Sequence, residues 1–83
     1  MADNNQEITR GNRAKQILED EIFIESVNKI RAELMNQWLN SEETSSEQRE
    51  NIFRMRRMLE VVLMQLQSVL ETGKLATKEK QSQ

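Results

Sequence analysis

The sequence has no cysteine, no histidine and no proline, and only two glycines. Without cysteine and histidine there can be no disulfides, no thiolate chemistry, no zinc-finger ligand set and no histidine general base. We therefore predict that the protein is not an enzyme, with no catalytic residue, no metal site and no cofactor. A chain of 83 residues buries only about 60% of the surface that its unfolded form exposes, so oligomerisation remains as a source of stability.

The sequence also lacks a strong excess of positive or negative charge, and it has no long apolar run. The 12 Lys and Arg residues against 14 Asp and Glu give a net charge of -2, so the chain is not a polycation and any nucleic-acid contact must be local. The longest apolar run, "VVLM" over residues 61–64, is far below the roughly 18 to 20 residues that span a bilayer. The polar N-terminus has no apolar segment of a secretory signal. We expect a soluble, cytosol-made protein without membrane contact.

The most abundant residue types favour α-helix. Glu, Gln, Leu, Met, Arg and Lys lose little rotamer freedom in a helix and make up much of the chain. The few aromatic residues, Phe23, Trp38 and Phe53, leave little material for a sheet core. The composition therefore predicts an all-α fold.

Apolar spacing and turn signals predict three helices in one domain over residues 12–76, between a flexible arm (1–11) and a flexible tail (77–83). A short first helix covers about 12–18, and Asp20 caps a second over about 21–39. The polar segment 40–46 precedes a third helix over about 46–72, which ends with Gly73 as its left-handed C′ residue and Leu75 folded back. So short a loop predicts that the two longer helices form an antiparallel hairpin.

Two apolar stripes predict the core of this hairpin. The stripe on the second helix steps mostly by four, and the stripe on the third alternates three and four as in a heptad seam. The predicted hairpin core consists of Phe23, Val27, Ile30, Leu34, Trp38, Ile52, Met55, Leu59, Val62, Leu66 and Val69. Trp38 fits a half-buried plug at the hairpin end, and contact with a partner is its alternative role.

The third helix has more apolar surface than one partner helix can cover, since one helix covers a stripe roughly 100° wide. We predict that Met58, Val61, Leu63 and Met64 form an oligomer interface. The alternative is an intramolecular core in which the short first helix folds across this second side.

Six basic residues are candidates for contact with nucleic acid or an acidic partner. Helical spacing lets Glu50 pair with Arg54, and Glu60 with Arg56 or Arg57, which favours a structural or interface role. No helix-turn-helix pattern indicates sequence-specific DNA recognition. The six candidates are Arg10, Arg13, Lys15, Arg54, Arg56 and Arg57.

Two stretches, "NRAKQILEDEIFIESVNKIRAELMNQW" and "VLETGKLA", resemble small all-helical proteins from the structural and packaging gene clusters of tailed bacteriophages and prophages. The resemblance covers roughly residues 12–76. Such sequences often carry a proline at the break before the second helix, where this chain has Asp20 and Glu21. The matching positions are Arg13, Ala14, Ile17, Leu18, Trp38, Arg49, Leu59, Leu66, Thr72, Gly73, Lys74, Leu75 and Ala76.

The resemblance implies a non-enzymatic phage assembly or DNA-packaging protein that acts as a homo-oligomeric helical scaffold, either similar to small terminase subunits or a head or connector accessory protein. Its implied partners are copies of itself and other phage structural or packaging proteins, in the host cytoplasm or in the virion. Many small terminases have an N-terminal DNA-binding helix-turn-helix, whereas this sequence shows no such pattern, so the resemblance does not imply DNA recognition. The alternative function is that of a small helical adaptor or inhibitor that binds a host protein.

Overall fold

The computed structural model describes residues 4–82, which form three α-helices and no strand. The helices are α1 (Asn4–Glu19), α2 (Glu21–Leu39) and α3 (Ser46–Gln81). The all-α prediction is therefore confirmed. Across residues 4–82, no helix is long and apolar enough to cross a membrane. The molecule measures 60 × 26 × 16 Å, and since one helix with its side chains is about 10 to 12 Å wide, the helices form a single layer with two broad faces.

The first helix is longer than the sequence predicts. α1 begins at Asn4 rather than near residue 12, so residues 4–11 of the predicted flexible arm are helical; residues 1–3 lie outside the described part of the chain. Most helical stability in proteins comes from tertiary packing, and α1 packs along α3 with Gly11 and Ala14 buried. Periodicity of large apolar residues could not reveal this contact, because its buried residues are small.

The α1–α3 contact brings two backbones together at a pair of glycines. A Cβ atom built on Gly11 would lie 2.8 Å from the Cα of Gly73, and one built on Gly73 would lie 3.0 Å from the carbonyl oxygen of Glu7. Further along, the Lys80 ammonium donates a hydrogen bond to the Asn5 side-chain oxygen. Residue numbers therefore rise along α1 as those of the contacting α3 residues fall, and glycine is required at this crossing because a side chain would strike backbone.

The predicted end of the third helix is wrong. α3 continues through Gly73 to Gln81, and no glycine of the described residues has a positive φ, so Gly73 is not a C′ residue. Leu75, predicted to fold back on the helix end, is 62% exposed. Residues 77–81 of the predicted flexible tail belong to α3 as well. Glycine serves both as a helix terminator and as a site of close helix contact, and here the second role prevails.

The break between α1 and α2 lies where the acidic residues predict it. Asp20 is in an extended conformation, and its side chain accepts a hydrogen bond of 2.9 Å from the amide of Phe23. This confirms Asp20 as the N-cap. Further along, the Arg31 guanidinium donates two hydrogen bonds of 2.9 and 3.1 Å to the same Glu60 oxygen, which joins α2 to α3.

The predicted core is only partly buried in the single chain. Val27, Leu34 and Ile52 are buried, and a second set is half-buried: Phe23, Leu59, Leu66 and Val69. The prediction is wrong for three others, because 45 to 53% of their surface is exposed: Ile30, Met55 and Val62. Trp38, predicted as a half-buried plug, is 40% exposed. The reason is that α1 packs on the C-terminal half of α3, which leaves α2 to cover the N-terminal half alone.

Candidate interaction surface

Exposed large apolar side chains are concentrated on α2 and on the N-terminal half of α3. In the rest of the described chain only Ile17 and Leu75 belong to this class. Eleven such residues therefore lie where α1 does not reach: Ile22, Ile24, Ile30, Met35, Trp38, Leu39, Phe53, Met55, Met58, Val62 and Met64. Where such side chains adjoin one another, exposed apolar surface marks interaction sites in soluble proteins.

A groove of about 270 Å³ lies between α2 and α3 near the 40–45 loop. Buried Leu34 and Ile52 are at its base, while the more exposed Met35 and Phe53 flank it. Trp38 and Arg56 complete the lining. The groove is almost entirely apolar, and its base is formed by the α2–α3 core, so its shape depends on that packing.

A second groove of about 210 Å³ continues from the first along α3. It shares Phe53 and Arg56 with the first groove and extends it past Val61 to Met64. The charged residues Arg57 and Glu60 lie between the two apolar ends. We call the two grooves together the Phe53 surface.

Another apolar area lies on a different side of α3. Met55, Met58 and Val62 are spaced three and four apart, so they share one face of the helix, and all three are exposed. The same heptad seam continues towards the C-terminus through Leu66 and Val69, which line a groove with α1 residues. The C-terminal half of the seam thus contacts α1, and its N-terminal half is exposed. We call the open part the Met58 surface.

The four residues predicted as an oligomer interface do not form one surface. Met58 and Met64 are 61% and 67% exposed, but six residues at 100° each place them about 120° apart around the axis. Val61 is half-buried and lines the second groove with Met64. Leu63 is half-buried as well. The predicted interface is therefore divided: Met58 belongs to the Met58 surface and Val61 and Met64 belong to the Phe53 surface, while Leu63 lines neither groove.

Trp38 is held at the loop end by an arginine. The Arg49 guanidinium lies over the indole ring, 5.0 Å from its centroid, and its Nε donates a hydrogen bond of 2.9 Å to the Ser41 hydroxyl. The Trp38 side chain remains 40% exposed. Arg49 therefore connects α3 to the loop and to α2, a role that helical spacing alone could not indicate because the contact crosses the turn.

The predicted basic candidates are not gathered into one patch. Arg54 pairs with Glu50 at 3.6 Å, as the spacing predicts. Glu60, predicted to pair with Arg56 or Arg57, instead pairs with Arg31 of α2 at 2.9 Å. Two residues of helix rotate by about 200°, so Arg54 and Arg56 are on nearly opposite sides of α3. The remaining candidates, on α1, are exposed: Arg10, Arg13 and Lys15.

Comparison with known proteins finds no matching family model, no matching curated protein and no matching solved structure.

Proposed function

We propose that this chain is a non-enzymatic, homo-oligomeric helical module of phage particle assembly or DNA packaging, either similar to small terminase subunits or a head or connector accessory protein. Its building block is an antiparallel hairpin in which α1 and α2 together run against α3. The assembly role rests on the geometry described above, and the phage context rests on the sequence resemblance.

The observation that supports self-assembly most strongly is the area of exposed surface. The accessible surface of the chain is 6887 Å², whereas a compact monomer of 9.8 kDa is expected to expose only about 5,200 Å². The surplus of about 1,700 Å² is twice the roughly 800 Å² that each partner buries in an interface of standard size. Much of the apolar part of this surface lies on α2 and residues 53–64.

A single-layer hairpin is suited to assembly because it has two broad faces. The Phe53 surface and the Met58 surface lie on different sides of α3, so one chain could contact two neighbours at once. Two distinct surfaces that bind each other generate rings or filaments, whereas one surface that binds itself generates a two-fold dimer. Both arrangements leave α1 and the C-terminal half of α3 at the edge of the assembly.

Light scattering over a concentration series tests this proposal, with two substitutions of matched exposure on the same helix. We expect a defined multimer for the unaltered chain, a lower mass for Met64→Glu on the Phe53 surface, and an unchanged mass for Leu75→Glu. A monomer at every concentration would overturn the proposal and would favour the adaptor that binds a host protein. A salt series with duplex DNA separates the two phage roles, since salt-sensitive binding favours packaging and its absence favours the accessory role.

A further inference from the structure

One stripe on α3 has a pattern that is complementary to itself. Phe53, Arg57, Glu60 and Met64 step by four, three and four, which keeps them within about 60° of one another around the helix. All four line the second groove. The order along the stripe is apolar, basic, acidic, apolar. Read in the opposite direction, apolar residues again occupy the ends and the two charges have exchanged places.

This pattern fits a second copy of α3 that runs antiparallel to the first. A two-fold axis midway between residues 58 and 59 places Phe53 opposite Met64 of the partner subunit, and Arg57 opposite Glu60 of the partner subunit. Each contact then occurs twice, as two-fold symmetry requires. We propose that the chain forms a symmetric dimer through this stripe, a proposal that rests on the proposed homo-oligomeric function.

The exposure of the four side chains agrees with this arrangement. Phe53 and Met64 are the two most exposed apolar residues of the Phe53 surface. Arg57 is exposed and has no ion-pair partner among residues 4–82. The ends of the stripe therefore provide apolar area, and its centre provides an unpaired cation that can specify the register of the two helices.

Glu60 can accept a second arginine. Arg31 donates to Oε1 from Nε and Nη2, at 3.1 and 2.9 Å, and to Oε2 from Nη2 at 3.2 Å. A carboxylate offers about four acceptor positions, so one position on Oε2 remains for Arg57 of the partner subunit. Because Arg31 already holds the carboxylate in place, less side-chain entropy is lost when the second arginine binds.

The Met58 surface is the weaker candidate for this symmetric contact. Met55, Met58 and Val62 carry no charge, so nothing on this stripe distinguishes the correct register from a shift along the helix. The surplus surface of each chain is large enough for the proposed dimer and for a second contact. The Met58 surface therefore remains available to join dimers into a larger assembly.

The absence of cysteine from the sequence makes cross-linking a clean test. We expect Phe53→Cys mixed with Met64→Cys to form a cross-linked dimer with a short bismaleimide linker, because these positions face each other. Phe53→Cys alone is expected not to cross-link, since its two copies lie about 16 Å apart along the axis. Leu75→Cys, mixed with either variant, is the control for random collision. Equal yields from mixed and single variants would overturn the proposal.

A charge exchange tests the register. Arg57→Glu places like charges opposite each other and is expected to weaken dimerisation at least about tenfold, whereas Arg54→Glu on another side of the helix should leave it unchanged. The triple variant Arg31→Glu, Arg57→Glu, Glu60→Arg restores opposite charges both within the chain and across the axis, so it should recover the dimer. Failure of the triple variant to recover the dimer, with the helical content intact, would refute the pairing.

The symmetric dimer contact and the homo-oligomeric function are distinguished by different measurements. If light scattering shows a multimer but the selective cross-link between positions 53 and 64 is absent, the symmetric stripe is wrong and the homo-oligomeric function remains. If the unaltered chain is monomeric at every concentration, both are wrong.

Discussion

Replacement of Gly73 by valine tests how strictly the α1–α3 contact depends on the absence of a side chain. The Cβ alone would lie 2.8 Å from the Cα of Gly11 and 3.0 Å from the carbonyl oxygen of Glu7. Both are backbone atoms that no rotamer change can move away. The two helices must therefore separate, which also loosens the buried contacts of Ala14 and Ala76.

The magnitude follows from two opposing effects. Overpacking of a tight contact costs about 1 to 3 kcal/mol, while valine is better than glycine in a helix by about 0.3 to 0.5 kcal/mol. The net loss for Gly73→Val is about 2 kcal/mol, with the clash prevailing. For a domain of this size that corresponds to a decrease of about 8 to 16 °C in the melting temperature.

Circular dichroism melts at one fixed chain concentration measure this effect, since self-association would otherwise shift the transition. Leu75→Val is the matched control, because it introduces the same side chain two residues away at an exposed position and should change stability by no more than about 0.5 kcal/mol. Gly11→Val should cost about as much as Gly73→Val, because both side chains would enter the same gap. A Gly73→Val protein that melts with the unaltered chain would refute the close backbone contact.

Three further expectations concern single contacts. The side chains of Arg31 and Glu60 are both 41% exposed, so a double-mutant cycle with Arg31→Met and Glu60→Gln should give a coupling of no more than about 1 kcal/mol that decreases with salt; a larger, salt-independent coupling would contradict this. Arg49→Ala should change the fluorescence of Trp38, the single tryptophan, with a stability loss of about 0.5 to 1 kcal/mol, and an unchanged emission spectrum would contradict the stacked geometry. Asp20→Ala should lower the stability by about 1 kcal/mol in a thermal melt because the N-cap is lost, whereas Asp20→Asn should keep most of the stability because asparagine also caps. Equal losses in both variants would show that the negative charge of Asp20, and not the capping hydrogen bond, stabilises the helix.

The α2 helix shows how much of this fold the sequence determines. Its cap at Asp20 and the buried positions Val27 and Leu34 follow from capping chemistry and from a stripe of large apolar residues. Both signals are local, and each needs only residues within a few turns of the helix. The Glu50–Arg54 pair is predictable for the same reason.

The α1–α3 contact shows what local patterns miss. Gly73 fits a helix end when only its neighbours are considered, and Gly11 lies in a segment without periodicity. Each becomes informative only when the other is known to face it, 62 residues away in the sequence. Sequence spacing correctly indicated surplus apolar surface on the third helix, but the division of Met58 and Met64 between two sides depends on where α1 and α2 lie.

The contact between Asn5 and Lys80 places the two ends of the described chain side by side, which has a consequence for a molecule under tension. Because both ends of the described chain leave from the same end of the layer, a pull on the two ends loads the α1–α3 contacts in sequence, beginning with this pair and reaching the glycine crossing next. Contacts that open one at a time resist much less force than contacts sheared together. Force applied through polypeptide attached at both ends would therefore separate α1 from α3 first, while α2 and the N-terminal half of α3, which form the Phe53 surface, would remain packed together.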